Sequence, residues 1–193
     1  MKNLTKRGFI LGLALGVITL TTNSLLAAGK KAKTEDDLIA ELAGPNADKV
    51  ANAMLQLEKQ YPTSTKAFPE IKKLLTDPRE KVRRKAGRVL GALHAEVDAT
   101  DLKNICAMFK ATDPQEVMDA LKSLRGLKAQ STVSEILPLL QSANIGIVRD
   151  ACRTLAVLGN KSNVAAIEPL LKHKDEKVQK DAQDAIFQLN SKP

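Results

Sequence analysis

The strongest constraint on the fold of this chain is an internal repeat. Two apolar patterns recur after about residue 65, and both advance in the same steps of 34, 31 and 31 residues. One has the form apolar-x-x-apolar-x-x-apolar-apolar and begins at Phe68, Leu102, Val133 and Val164. The other has the form Ala-x-x-x-Leu/Ile-x-x-Leu and begins at Ala86, Ala120, Ala151 and Ala182. Two independent patterns that share one period predict units that stack on their neighbours.

Each repeat is predicted to contain two helices, because both patterns space apolar residues three and four apart and so place them on one helical stripe. We call the first helix A and the second helix B. Between the helices lie residues suited to start helix B, namely Asp77-Pro78, Asp113-Pro114, Asn144 and Asp175. A weaker first unit runs from Thr34 to a helix carrying Val50, Ala53 and Leu57. The sequence therefore predicts about five helix pairs.

The repeats resemble HEAT-like repeats, particularly the short variety typified by phycobilisome-lyase proteins. The segments that carry the resemblance best are AQSTVSEILPLLQSANIGIVRDACRTLAVLG and NKSNVAAIEPLLKHKDEKVQKDAQDAIFQL, with Pro138 and Pro169 inside helix A. It covers about residues 65–190 and departs from the pattern at Glu116, where the other repeats have Val or Ile. The resemblance implies an all-α, right-handed α-solenoid of about five HEAT-like helix pairs.

The N-terminus has the pattern of a signal peptide. Lys2, Lys6 and Arg7 precede an apolar stretch, and small residues at Ala27, Ala28 and Gly29 follow it. We therefore expect residues 1–29 to be removed and residues 30–193 to form the repeat domain, with cleavage after position 27 or 28 as alternatives. A periplasmic or secreted location follows. The alternative is an uncleaved membrane anchor, although the apolar run is shorter than the ~20 residues that span a bilayer.

The predicted mature chain is mildly basic, with 27 basic and 22 acidic residues after residues 1–29 are removed. In an exported protein nucleic acid is not the natural counterpart of this charge. A protein with an acidic surface is the expected partner, and association with the membrane or envelope stays open as an alternative.

The densest cationic segment, REKVRRKAGR at residues 79–88, is predicted to be one outer face of a helix B. Helical periodicity buries Val82 and Ala86 and turns Lys81, Arg84 and Arg88 outward. Stacking the helices B produces columns of equivalent residues. The first column contains Arg84, Met118, Arg149 and Lys180, and the second contains Arg88, Lys122, Arg153 and Asp184. A third column contains Lys85, Asp119, Asp150 and Asp181.

Two interpretations of these columns compete. Asp119 and Asp150 lie three residues before Lys122 and Arg153, close enough for weak pairs of roughly 0.2–0.5 kcal/mol on the helix surface. This favours a solvated ladder of paired charges. In the repeat around residue 85 a lysine replaces the aspartate, so an excess of positive charge and a binding site for an acidic partner are expected there. In HEAT-like proteins the helix B surface commonly binds partners.

The sequence contains none of the short catalytic or metal-binding motifs that we sought. It has no His-Glu-x-x-His, no Gly-rich phosphate loop before a helix and no Gly-x-Ser-x-Gly elbow. Its two histidines, His94 and His173, lie far apart without a paired carboxylate. We therefore predict no catalytic residues, no metal site and no cofactor. Cys106 and Cys152 are predicted to be packed small residues rather than a disulfide, since their helices are not usually direct neighbours.

These observations predict an exported scaffold or adaptor that binds a protein along its helix B surface. The predicted partner-binding residues are Lys81, Arg84, Arg88, Lys122, Arg149, Arg153, Lys180 and, as an outward-facing aromatic anchor, Phe187. The alternatives are a cofactor-handling protein similar to bilin lyases and a structural component of the envelope.

Overall fold

The computed structural model describes residues 32–192. Within them the chain forms ten α-helices and short 3₁₀ segments, without a strand. Five helices are B helices and form the longest elements: α2 (Ala47–Gln60), α4 (Glu80–Ala92), α6 (Pro114–Gly126), α8 (Ile145–Leu158) and α10 (Glu176–Asn190). The A helices are α1 (Glu35–Glu41), α3 (Phe68–Lys73), α5 (Ala99–Ala107), α7 (Val133–Ile136) and α9 (Val164–Ile167). The prediction of five helix pairs is confirmed.

Helix A of the later repeats is divided by proline. Pro138 and Pro169 lie at the start of the 3₁₀ segments Leu137–Gln141 and Glu168–Lys172. Because proline lacks the N–H that an α-helix needs, α7 and α9 stop after four residues each and continue as the tighter helix. In these two repeats helix A is therefore short, and the longer helix B packs against it.

The helices B stack in sequence, α2 on α4, α4 on α6, α6 on α8 and α8 on α10. One column of leucines runs through this stack, and its four members Leu57, Leu90, Leu124 and Leu155 are at most 2% exposed. Each such burial stabilises the fold by about 1.5–3 kcal/mol. The array is therefore a right-handed α-solenoid with one continuous core.

Helices α4 and α6 approach each other most closely where side chains are missing. A Cβ added at Gly126 would lie 2.3 Å from the carbonyl oxygen of Gly91, and one at Gly91 would lie 2.8 Å from that of Ser123. Glycine is required here because there is no room for a side chain. Backbone conformation is not the reason, since neither residue has a positive φ.

The predicted caps hold with one correction. Asp113, Asn144 and Asp175 each accept hydrogen bonds from backbone N–H groups in the first turn of helix B. Asp77 does not cap α4. Its carboxylate accepts hydrogen bonds from the backbone N–H and the side chain of Arg79. Helix α4 begins at Glu80, two residues after Pro78, because this turn is longer.

Nothing in residues 32–192 has both the length and the apolar character of a membrane-crossing helix. The predicted signal peptide, residues 1–29, lies outside the part of the chain that the structure describes.

Candidate binding surface on helices B

The predicted cations lie on one side of the stacked helices B, but they differ in exposure. Lys81, Arg88 and Lys180 are exposed, as are Lys122 and Arg153. Arg84 and Arg149 are half-buried, with side chains 26% and 28% exposed. The sequence placed all of them outside the core, and the structure agrees.

Three buried aspartates in the third column connect consecutive repeats. Asp119, Asp150 and Asp181 are only 3%, 6% and 9% exposed. The distance from Arg84 Nε to Asp119 is 3.0 Å, and the distance from Arg149 Nε to Asp181 is 2.6 Å. Since each carboxylate receives a cation from the preceding helix B, the aspartates tie neighbouring repeats together.

The paired ladder expected within single helices is also present. Lys122 Nζ lies 3.8 Å from Asp119 and 3.9 Å from Asp150, so it bridges two repeats. Arg153 lies 3.5 Å from Asp150 and 3.1 Å from Asp181. The charges of Lys122, Arg149 and Arg153 are therefore largely balanced by the array itself.

Arg84 is not the unbalanced cation that the sequence predicts. Its guanidinium contacts Glu80 at 3.0 Å, Asp113 at 3.2 Å and Asp119 at 3.0 Å. Burial alone would lower the pKa of Arg84, but the hydrogen bonds to Asp119 and Glu80 raise it overall. The expectation of a free charge is wrong for Arg84, because it left out Glu80, four residues earlier on the same helix, and the acids of the next repeat.

Lys81 is also paired, with the Asp48 carboxylate of the first repeat. The pair is exposed on both sides, so its contribution to stability is small.

Lys85 and Arg88 leave positive charge at the first repeats of the surface, and Lys180 leaves positive charge at the last. Neither Lys85 nor Arg88 forms an ion pair with any residue in the range 32–192. Burial and the nearby Arg88 charge lower the pKa of Lys85, and the more distant carboxylates of Glu58 and Asp119 offset this only in part. Lys85 and Arg88, together with Lys81, Arg84 and Asp119, line an open groove of about 280 Å³, which we call the basic groove. The sequence predicted this place and the charge excess caused by Lys85, but it did not include Lys85 among the partner-binding residues.

A buried ion pair between Arg83 and Glu116 was missed by the sequence analysis. The Arg83 guanidinium meets the Glu116 carboxylate with both Nε and Nη2, at 2.9 Å and 3.1 Å, and Nη1 donates to the carbonyls of Asp77 and Pro78. The Glu116 side chain is 3% exposed. The departure of Glu116 from the apolar pattern was the signal that pointed to it.

Phe187 projects from the last helix and is 75% exposed. The sequence predicted its outward direction, and its role as an anchor stays a prediction.

The remaining reactive side chains have structural roles. His94 Nδ1 lies 2.7 Å from the Gly126 carbonyl oxygen, and His173 Nδ1 accepts from the N–H of Asp175. Cys106 and Cys152 are free thiols, as expected, and burial raises their pKa values to about 11 and about 12. Across residues 32–192 no three His, Cys, Asp or Glu side chains cluster as metal ligands would.

Solved structures with a similar fold place the chain among helical repeat proteins. The chain resembles the complex of CpcE and CpcF of phycocyanin lyase from Nostoc sp., with a TM-score of 0.71 and 20% identity over 90% of this chain and 71% of that one. The fold is a HEAT/armadillo-like α-solenoid. An engineered protein gives a TM-score of 0.64 at 19% identity, covering 84% of this chain and 81% of the other. A designed armadillo repeat protein in complex with the peptide (KR)4 gives 0.64 at 18% identity, covering 80% and 81%.

Neither a protein-family model nor a curated protein matches the sequence. The likeness to solved structures therefore establishes the fold alone.

Proposed function

We propose that this protein is an exported scaffold or adaptor that binds an acidic segment of a partner protein in the basic groove on α4. The observation that carries the proposal is the pair Lys85 and Arg88. Arg84, Lys122, Arg149 and Arg153 of the same surface are matched by carboxylates, whereas these two form no ion pair within residues 32–192.

The local geometry favours a carboxylate ligand. Lys85 and Arg88 are three residues apart on one helix, so their like charges repel each other. A partner carboxylate between them would relieve this repulsion and favour the charged form of Lys85, whose pKa is lowered. Helices α6, α8 and α10 have an aspartate at the position of Lys85, and that aspartate receives a cation from the preceding repeat. In α4 this position holds Lys85 and no aspartate, so the partner would supply the carboxylate.

Proteins with this fold support a partner-binding role. The CpcE and CpcF structure is a complex of two proteins, and the designed armadillo repeat protein holds a peptide. The acidic character of the partner rests on the residues of this chain alone. Lys122, Arg149, Arg153, Lys180 and Phe187 remain in the proposal as the continuation of the same surface.

The proposal is tested by charge reversal in the groove. The double variant Lys85→Glu/Arg88→Glu and the control Lys103→Glu, an exposed lysine on α5, are compared with wild type as baits in cell extract. Captured proteins are quantified by mass spectrometry at low and high salt. We expect a partner retained by wild type and control, lost with the double variant, and weakened steeply by salt. Equal capture by all three baits contradicts the choice of surface.

Two other functions give different results in the same preparation. A cofactor-handling role similar to that of bilin lyases, suggested by the CpcE and CpcF likeness, predicts pigment bound to the purified protein. A structural role in the envelope predicts sedimentation with anionic vesicles that does not depend on Lys85 and Arg88.

Export is proposed from residues 1–29. Intact-mass measurement of the protein recovered from its native cells is expected to give an N-terminus at Lys30, or at position 28 or 29. An intact N-terminus in the membrane fraction supports the anchored alternative instead.

A further inference from the structure

Lys85 occupies a position at which the later helices B carry an acid. Helices α6, α8 and α10 have an aspartate directly before the alanine that begins the buried pattern. In α8 that aspartate, Asp150, lies 3.5 Å from Arg153 three residues further on, and α6 has the same arrangement. In α4 the cation of this pair is present as Arg88, and Lys85 stands in place of the anion.

The Lys85 side chain is half-buried among charges that do not compensate its own. It forms no ion pair within residues 32–192. Arg88 on the same helix and Lys59 on α2 are cations, while the carboxylates of Glu58 on α2 and Asp119 on α6 act from a distance. Burial and then Arg88 lower the pKa of Lys85, so its amine becomes neutral at a lower pH than the amine of an exposed lysine.

The surroundings of Lys85 favour reaction at its nitrogen. A neutral lysine amine is a nucleophile, and removal from water and a neighbouring cation are two conditions that produce it. Lys85 meets both conditions. The groove it lines is open, so a small electrophile reaches the amine from solvent. The cations of the groove would also stabilise an anion formed there, so an electrophile that converts the amine into a carboxylate-like group fits this site.

We propose that Lys85 reversibly binds carbon dioxide as a carbamate. The lone pair of the amine forms a bond to the carbon of carbon dioxide, one C=O π pair moves onto its oxygen, and the nitrogen releases a proton to solvent. The product is an anion in the column where three other helices B carry an aspartate. A lysine side chain is longer than that of aspartate, so the carbamate would lie further out, where the exposed Arg88 can donate hydrogen bonds to it.

A second lysine shows why burial alone does not select the site. Burial also lowers the pKa of Lys192. The Lys192 ammonium, however, donates hydrogen bonds to the carbonyl oxygens of Val157 and Gly159, at 2.8 Å and 2.7 Å. These hydrogen bonds favour the protonated form, which is not a nucleophile. Lys85 combines partial burial with neighbouring cations and without such acceptors, so it is the preferred site.

The effect of the carbamate on binding rests on the proposed function. A carbamate on Lys85 would replace a positive charge by a negative one and pair with Arg88. It would thus occupy the place at which the carboxylate of the partner is proposed to bind. Carbon dioxide and the acidic partner would therefore compete for the basic groove.

Carbon NMR of the full chain, equilibrated with isotopically labelled bicarbonate, tests the carbamate directly. Wild type is compared with Lys85→Arg, whose guanidinium stays protonated, with Arg88→Gln, and with the control Lys103→Arg at an exposed lysine of α5. We expect a carbamate resonance in wild type and control that is lost in Lys85→Arg. In Arg88→Gln it should be about two- to fivefold weaker, the effect of an exposed charge pair. Any carbamate of the α-amino group is common to all four proteins. A wild-type spectrum that Lys85→Arg leaves unchanged overturns the proposal.

Capture of the acidic partner separates the failure of this proposal from the failure of the proposed function. At matched pH and ionic strength, we expect wild type to retain less partner in bicarbonate than in chloride, and Lys85→Arg to retain equal amounts in both. Equal retention by wild type in the two salts overturns the competition. Capture that does not depend on Lys85 and Arg88 contradicts the proposed function, while the NMR comparison still decides the carbamate.

Discussion

The buried pair of Arg83 and Glu116 gives the sharpest prediction about stability, because its two partners differ in exposure. Removing Arg83 as Arg83→Met leaves the Glu116 carboxylate, 3% exposed, without its cation. We expect a loss of about 3–5 kcal/mol in the free energy of unfolding. Removing the carboxylate as Glu116→Val leaves Arg83, which is 26% exposed and still donates to the carbonyls of Asp77 and Pro78. That loss should be about 1–2 kcal/mol.

The double variant Arg83→Met/Glu116→Val removes both charges and places valine where α4 and α10 have Val82 and Val178. Replacing a buried ion pair by apolar residues is often close to neutral. We therefore expect stability within about 1 kcal/mol of wild type, so the two single losses are strongly non-additive.

Urea unfolding followed by circular dichroism measures all four proteins. With a slope of about 2 kcal/mol per molar urea, Arg83→Met should lower the midpoint by about 1.5–2.5 M. A larger loss for Glu116→Val than for Arg83→Met, or additive losses in the double variant, would refute the reasoning from burial.

Three further predictions concern packing, backbone and thiols. Gly126→Ala places a Cβ 2.3 Å from the Gly91 carbonyl oxygen. We expect the free energy of unfolding, measured in urea, to fall by about 1–3 kcal/mol despite the better helix propensity of alanine. An unchanged midpoint would mean that the helices are further apart. Lys128 has φ 53° at the end of α6, so Lys128→Gly should stabilise by about 0.5–1 kcal/mol, and destabilisation would contradict the left-handed conformation. Burial raises the thiol pKa of Cys106 to about 11 and that of Cys152 to about 12. A thiol reagent at pH 8 should therefore label both residues slowly in native protein and rapidly in urea. Fast labelling of the native protein would show that the thiols are accessible.

The fold was predictable because its information is local and repeated. The leucines and alanines that recur every 31 or 34 residues specify one helix face in each repeat, and the structure buries those faces. The start of α4 was not predictable from Asp77, because the choice of cap depends on the length of the turn before it. Gly126 was not singled out either, since the need for glycine arises from the carbonyl of a neighbouring helix.

The candidate binding surface was predictable in position but not in charge. Helical periodicity turns Arg84 and Arg88 outward, and both lie outside the core. Which of them is neutralised depends on Asp113 and Asp119 of the next repeat, and the distances across the stack are not contained in the spacing along one helix. Lys85 was predicted as the residue that replaces the aspartate, and the structure adds that it lines the groove beside Arg88.

The central claim is a linear array in which each helix pair is covered only by its neighbours. Hydrogen exchange of backbone amides, measured by mass spectrometry on the native protein, tests this claim most directly. We predict the slowest exchange in α4, α6 and α8, which are covered on both sides, and faster exchange in α2 and α10 at the ends. Equal protection of all five helices, or the strongest protection in α2 and α10, would indicate a closed bundle and contradict the account.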